Sequence, residues 1–193
     1  MKICFATNNK KKLEEVKALL PSGFTLLSLV DIGCSEDLAE TQDTFEGNAL
    51  QKAQYVYDKF GVPCFADDSG LEVPSLGGEP GVYSARYAGP ARNDEDNIQL
   101  LLRKLNTIDD RSAWFRTVIA LLGFGSKPEF FEGRVDGNIL REKRGEQGFG
   151  YDPIFVPDGF DQTFAEMALS QKNAISHRGI AVRKLVEFLK GVQ

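Results

Sequence analysis

The chain has 193 residues, 42% of them hydrophobic and 26% charged, enough for one domain with a core that needs no disulfide or metal staple. Its 23 Lys and Arg face 28 Asp and Glu, a net charge of −5 that argues against non-specific binding to nucleic acid or a membrane surface, since both run on a basic field. No apolar run approaches the ~20 residues that span a bilayer, and the short apolar stretch after Met1-Lys2 is too brief for a secretory leader. Cys4, Cys34 and Cys64 show no metal-ligand spacing. They read as small core residues of a reduced, cytoplasmic protein, with residues 1–193 forming a single domain.

Ile3 to Ala6 reads as a short strand and Thr7-Asn8-Asn9 as a polar turn. The spacing of Leu13, Val16, Leu19 and Leu20 predicts a helix from Lys10 to Leu20, stopped by Pro21 and Gly23. A helix N-terminus favours acids, yet Lys10, Lys11 and Lys12 stand there. Free amides, helix dipole and ammonium groups together suit a polyphosphate; the alternative is a solvated basic turn. The glycine spacing of a P-loop is absent.

Phe24 to Val30 reads as a second strand, followed by an acidic connection from Asp31 to Asp43 that contains Glu36, Asp37 and Glu40. Asp43-Thr44-Phe45-Glu46 resembles a capping box with Asp43 as N-cap. The helix it opens runs to Phe60, with a core stripe of Phe45, Ala49, Leu50, Ala53, Val56, Tyr57 and Phe60, and Gly61 closes it. Lys52 lies off that stripe and suits either the surface or a site. Val62 to Ala66 reads as a buried strand that Ser69-Gly70 ends, leaving Asp67 and Asp68 at its tip. Two carboxylates there need a partner, and a divalent cation suits them; a solvated turn is the other reading.

Leu76 to Gly89 is a long glycine-rich loop carrying Tyr83-Ser84-Ala85-Arg86-Tyr87. Asn93 to Leu105 reads as a helix. Ala113 to Phe124 and Glu129 to Val135 read as an antiparallel hairpin, which makes the sheet mixed. A charged loop from Arg141 leads into Phe149-Gly150-Tyr151-Asp152-Pro153 and a strand, Ile154-Phe155-Val156. Aromatic rings around a glycine beside an acid suit a flat ligand, and equally an aromatic corner of the core. Lys172, His177 and Arg178 read as a polar donor cluster, and a last helix runs from about Ser176 to Lys190.

Five stretches occur in a fixed order: Thr7-Asn8-Asn9-Lys10-Lys11-Lys12, Phe65-Ala66-Asp67-Asp68-Ser69-Gly70-Leu71, Ser84-Ala85-Arg86-Tyr87, Gly148-Phe149-Gly150-Tyr151-Asp152-Pro153 and Ser176-His177-Arg178-Gly179. Together they closely resemble the inosine triphosphate pyrophosphatase, or HAM1-type, family. The resemblance implies an α/β fold: an elongated mixed sheet flanked by helices, two lobes and a central nucleotide cleft. It implies a homodimer that hydrolyses noncanonical purine nucleoside triphosphates (ITP, dITP, XTP) to the monophosphate and pyrophosphate. Such an enzyme cleanses the nucleotide pool and keeps these nucleotides out of DNA and RNA.

The same resemblance assigns roles residue by residue. Thr7, Asn8, Asn9, Lys10, Lys11 and Lys12 would bind the triphosphate. Glu40 and Asp68 would hold Mg2+, with Asp68 also accepting the proton of the attacking water. Ser69, Phe149, Gly150, Tyr151, Asp152, Lys172, His177 and Arg178 would complete the nucleotide site. Lys52 and Arg86 would add phosphate or catalytic contacts. Asp67 is read as positioning Asp68 rather than touching the metal. Hypoxanthine and xanthine carry an acceptor at position 6 where adenine carries a donor, so donors from Lys172, His177 and Arg178 would select them. A pyrimidine-directed pyrophosphatase and a non-catalytic nucleotide sensor are the rival readings.

Overall fold

A computed structural model of the chain describes residues 1–20 and 23–192. Six strands form one mixed sheet in the order β2-β1-β3-β4-β5-β6. They are β1 (Lys2–Phe5), β2 (Thr25–Leu27), β3 (Cys64–Glu72), β4 (Ser112–Leu122), β5 (Glu129–Ile139) and β6 (Phe155–Pro157). β1 runs parallel to both β2 and β3, whereas β5 and β6 are antiparallel. The short link between β4 and β5 leaves no room for a crossover, so this pair is the expected antiparallel hairpin. The helices are α1 (Lys10–Lys17), α2 (Phe45–Phe60), α3 (Asp94–Lys104), α4 (Leu169–Ile175) and α5 (His177–Gly191). Among the described residues no helix is long and apolar enough to cross a membrane.

The chain divides into two compact units. The first comprises Met1–Asp68, Thr117–Gly133 and Arg178–Gln193; the second comprises Ser69–Arg116 and Arg134–His177. In the first unit the two-residue period of the strands supplies two apolar faces. Ile3, Phe5, Phe65, Ile119 and Leu121 join Val16 of α1 and Ala181, Val182, Leu185 and Leu189 of α5. The alternate residues Cys4, Ala6, Cys64, Ala66, Ala120 and Leu122 join Ala49, Ala53 and Val56 of α2. β1, the first part of β3 and the later part of β4 are covered on both sides, which is why they read as continuous apolar runs. All three cysteines are buried free thiols, and burial pushes Cys4 and Cys64 up to about 12. In the second unit, Ile98, Leu101 and Leu105 of α3 pack with Phe115, Tyr151, Phe155 and Phe164.

Several boundaries differ from the sequence reading. β3 does not end at Ser69-Gly70 but continues to Glu72, so Asp67 and Asp68 are mid-strand and buried. Sheet pairing overrides the turn preference of those two residues. The N-cap of α2 is Thr44, whose hydroxyl accepts the Gly47 amide at 3.0 Å, and not Asp43. α1 ends at Lys17, because the amides of both Leu19 and Leu20 turn back to the Val16 carbonyl. Pro21, read as its stop, lies outside the described residues. The strand read from Phe24 to Val30 keeps only Thr25–Leu27 before a 3₁₀ turn at Val30–Ile32. The strand read at Ile154 begins one residue later, after a 3₁₀ turn over Asp152–Ile154. The glycine-rich stretch contains 3₁₀ turns at Pro74–Leu76 and Gly81–Arg86 rather than open loop.

Candidate active site

A strand turns successive side chains to opposite faces, so the two acids of β3 part company. Asp67 shares the face of Phe65, under α1 and α5. Its Oδ1 accepts from Lys12 Nζ of α1 at 2.9 Å, and its Oδ2 from Arg178 Nε of α5 at 3.0 Å. Arg178 also pairs with Glu15, one turn along α1 from Lys12. Asp67, Glu15 and Arg178 are all buried, so this is a paired interior network of the kind that is costly to break. Burial alone would raise the Asp67 carboxyl, but Lys12, Arg178 and Lys52 drive it well below its ordinary range. The Arg178 guanidinium responds in the opposite sense: burial would lower it, and Asp67 and Glu15 hold it above its usual value. Burial lowers the Lys12 ammonium, and the neighbouring Arg178 and Lys52 charges add to that against the pull of Asp67.

Asp68 shares the face of Cys64 and Ala66, toward α2. Its Oδ2 accepts from Asn48 Nδ2 at 2.9 Å. Burial raises the Asp68 carboxyl, the Glu40 carboxylate raises it further, and Lys52, Lys12 and the Asn48 hydrogen bond oppose. Lys52, one turn along α2 from Asn48, reaches Glu40 Oε1 at 2.6 Å and the Asp67 carbonyl at 2.7 Å. Lys52 is therefore a buried member of this cluster and not a surface residue.

The N-terminus of α1 uses its amides differently from the sequence reading. Asn9 Oδ1 accepts from the Lys11 and Lys12 amides at 3.0 and 3.2 Å, so a side chain already caps them. The Thr7 hydroxyl accepts the Asn9 amide at 3.2 Å. Thr7 is half-buried, while Asn8, Asn9, Lys10 and Lys11 are exposed. What this turn offers an anion is chiefly its ammonium groups.

Around Asp67 and Asp68, three cations (Lys12, Lys52, Arg178) face four carboxylates (Glu15, Glu40, Asp67, Asp68). Such a balance cannot neutralise a polyphosphate without added positive charge. The residues fit a hard divalent cation in kind: Asp68 and Glu40 are carboxylates, the oxygen ligands such a cation prefers, and α2 holds both, through Asn48 and Lys52. Among the described residues no group of three or more His, Cys, Asp or Glu gathers to bind a metal, so water or ligand oxygens would complete the shell.

The second unit holds a separate polar group in an aromatic setting. Lys172 Nζ of α4 meets Asp152 Oδ2 at 2.7 Å, with both side chains buried. The same oxygen accepts the Phe149 amide at 2.9 Å, and Lys172 Nζ lies 4.9 Å from the centre of the Phe149 ring. Gly148 is required here: its φ is +76°, and a Cβ would come 2.1 Å from Asp152 Oδ2. His177 is buried with its ring stacked on Phe115 at 4.6 Å and 9°. Gly150 donates its amide to Asp94 at 2.8 Å. Tyr151 turns into the core and donates its hydroxyl to the Ser84 carbonyl at 2.9 Å, so it braces the fold. Arg86 lies over the Tyr83 ring at 5.2 Å, and Ser69 is half-buried on β3.

Two residues escaped the sequence reading, Glu15 and Asn48. Both are polar side chains on the buried stripe of their helix, Glu15 beside Val16 and Asn48 beside Ala49. A polar residue at a core position is the signal that marks them. α4, which carries Lys172, was also missed, because no side chain caps its start.

The chain matches the family model described as "Ham1 family" over residues 3–188. A dITP/XTP pyrophosphatase of Christiangramia forsetii is 57% identical over 189 residues, covering 98% of this chain and 99% of that protein. The dITP/XTP pyrophosphatase of Bacillus subtilis is 46% identical over 188 residues, covering 96% and 95%. The solved structure of the Staphylococcus aureus Ham1 protein superposes with a TM-score of 0.91 at 42% identity over the full length of both chains. A HAM1 protein from Coxiella burnetii gives the same TM-score at 40% identity and 99% coverage. Similarity of this extent in both sequence and backbone leaves one assignment: the chain belongs to the Ham1 family.

Proposed function

We propose that the protein hydrolyses noncanonical purine nucleoside triphosphates, ITP, dITP and XTP, at the α–β anhydride, releasing the nucleoside monophosphate and pyrophosphate. It thereby clears the nucleotide pool before these bases enter DNA or RNA. The carrying observation is the placement of the Asp68 carboxyl: buried, aligned by Asn48 at 2.9 Å, and on the same side of β3 as the Lys52–Glu40 pair held by α2. A carboxylate fixed in orientation is suited to accept the proton of a water held against it.

In this reading Asp68 takes the proton of the attacking water, and the bridging oxygen leaves with pyrophosphate. Lys10, Lys11, Lys12 and Lys52, with Thr7, Asn8, Asn9, Ser69 and Arg86, meet the phosphates. Asp67 stays ionised and holds Lys12 and Arg178 in place. Glu40 and Asp68 would hold Mg2+, which supplies charge neutralisation and a more acidic water. Phe149 offers a stacking face and Lys172 a donor for the acceptor at purine position 6, with Gly150, Tyr151, Asp152 and His177 supporting that pocket. The chain works as one catalytic domain, in a cytoplasmic homodimer.

The test is pyrophosphate release from ITP with Mg2+. Asp68→Asn is expected to lower kcat at least ~100-fold, the scale of losing a general base. Release of orthophosphate, or full activity in the variant, would overturn the assignment.

A further inference from the structure

One face of α2 carries Asn48, Gln51 and Lys52 at helical spacing, and all three grip residues 40–42. Lys52 holds Glu40 at 2.6 Å. Gln51 holds Thr41 twice, accepting its amide at 3.0 Å and donating to its hydroxyl at 2.9 Å. Asn48 Oδ1 accepts the Gln42 amide at 2.9 Å. The other end of the Asn48 amide donates to Asp68 Oδ2 at 2.9 Å.

Asn48 is fully buried, on a helix stripe otherwise made of Phe45, Ala49, Ala53 and Val56. A buried amide is tolerated there only if both its poles are satisfied. Its orientation is also unambiguous: a backbone N–H demands the oxygen end, and a carboxylate demands the amino end. The side chain is thus a rigid strut between β3 and the segment that begins at Glu40.

We infer that Asn48 is a positioning residue for the hydrolytic reaction: it stops the Asp68 carboxyl from rotating and ties it to the Glu40 segment, so that the two acids present their oxygens at constant separation. The inference rests on the reading of Asp68 as the water-activating group. Asn48 acts through Asp68, and no contact with the nucleotide is required of it. Alanine removes the strut. Aspartate keeps the volume but sets an acceptor against the Asp68 oxygen.

The experiment compares intact wild-type protein with Asn48→Ala and Asn48→Asp. It measures kcat and KM for ITP, calorimetric binding of an ITP analogue with a methylene α–β bridge, and thermal unfolding. A positioning role lowers kcat by about 10- to 100-fold, as for other outer residues that orient reactive groups, with KM and analogue affinity unchanged within about threefold. Asn48→Asp, the nearer isostere, is expected to lose at least as much. A kcat within about threefold of wild type in a folded variant overturns the inference, as does a loss that appears as a parallel rise in KM and analogue Kd. Should Asn48→Ala fail to fold, Asn48→Asp decides alone. Asp68→Asn, run alongside, separates the two levels. An inactive Asp68→Asn with a fully active Asn48→Ala sinks only the role of Asn48. A fully active Asp68→Asn sinks the reading of Asp68 itself.

Discussion

Neighbouring residues of one strand have acquired opposite electrostatics. Asp67 lies between Lys12 and Arg178 and is held below its ordinary pKa; Asp68 faces α2 and is held above it, chiefly by burial with a smaller push from Glu40. The first is suited to structure and the second to proton transfer. Asp67→Asn would leave the buried Arg178 and the part-buried Lys12 short of charge. Urea denaturation is expected to show a loss of about 3–5 kcal/mol, the usual cost of breaking a buried pair from one side. The chemistry of these residues was legible in the chain: an acid pair after an apolar run, and lysines where a helix prefers acids. Their division of labour came only with the family resemblance; its physical basis, the two acids on opposite faces of a β3 that runs straight through Ser69 and Gly70, was not legible. Asn48 and Glu15 were hidden for a related reason, since a pattern of apolar spacing passes over polar residues set within it.

Among the elements, α2 does more than cover a sheet face. It begins on the Thr44 cap and ends at Gly61, whose φ of +63° an L side chain adopts only under strain. Between those ends it presents Asn48, Gln51 and Lys52. Thr44→Ala removes the acceptor for the Gly47 amide and is expected to cost about 1 kcal/mol in thermal or urea unfolding. A shift in activity larger than that in stability would show that fraying reaches the Glu40 segment. The existence and type of the long elements followed from periodicity, as with α2, α3, β4 and β5. The short strands β1, β2 and β6 are also legible as strands, but the ends of β2 and β6 are misplaced in the sequence reading and α4 is missed. The ends of β2 and β6 are set by where the sheet neighbours pair with them, and α4 has no capping signal to announce it.

For the molecule as a whole, pH separates the two acids. A carboxyl depressed in the fold stabilises it above the unfolded pKa, and that contribution is lost as pH falls through the lower folded value. Asp67 therefore stabilises the fold above its ordinary value of 3.8, and acid removes the benefit. A raised carboxyl works the other way, so ionised Asp68 burdens the fold as pH rises through its elevated pKa. Denaturation from pH 3 to 7 is expected to show a shallower acid limb in Asp67→Asn. Asp68→Asn is expected to be more stable than wild type at pH 7 while inactive, the trade-off of a functional site. Selectivity is also a property of the whole enzyme. A buried donor left facing the adenine amino group should make kcat/KM for ITP exceed that for ATP by about 10⁴, and Lys172→Met should collapse the ratio.

The three sequestered thiols give the native protein a built-in stopwatch. With Cys4 and Cys64 pushed up to about 12 and all three side chains out of solvent, an alkylating reagent at neutral pH finds no thiolate to attack. Carbamidomethylation of Cys4 and Cys64, the two thiols on strands, followed by mass spectrometry then counts only the moments when the sheet comes apart. Ligand-induced slowing of that label would report nucleotide binding without any turnover.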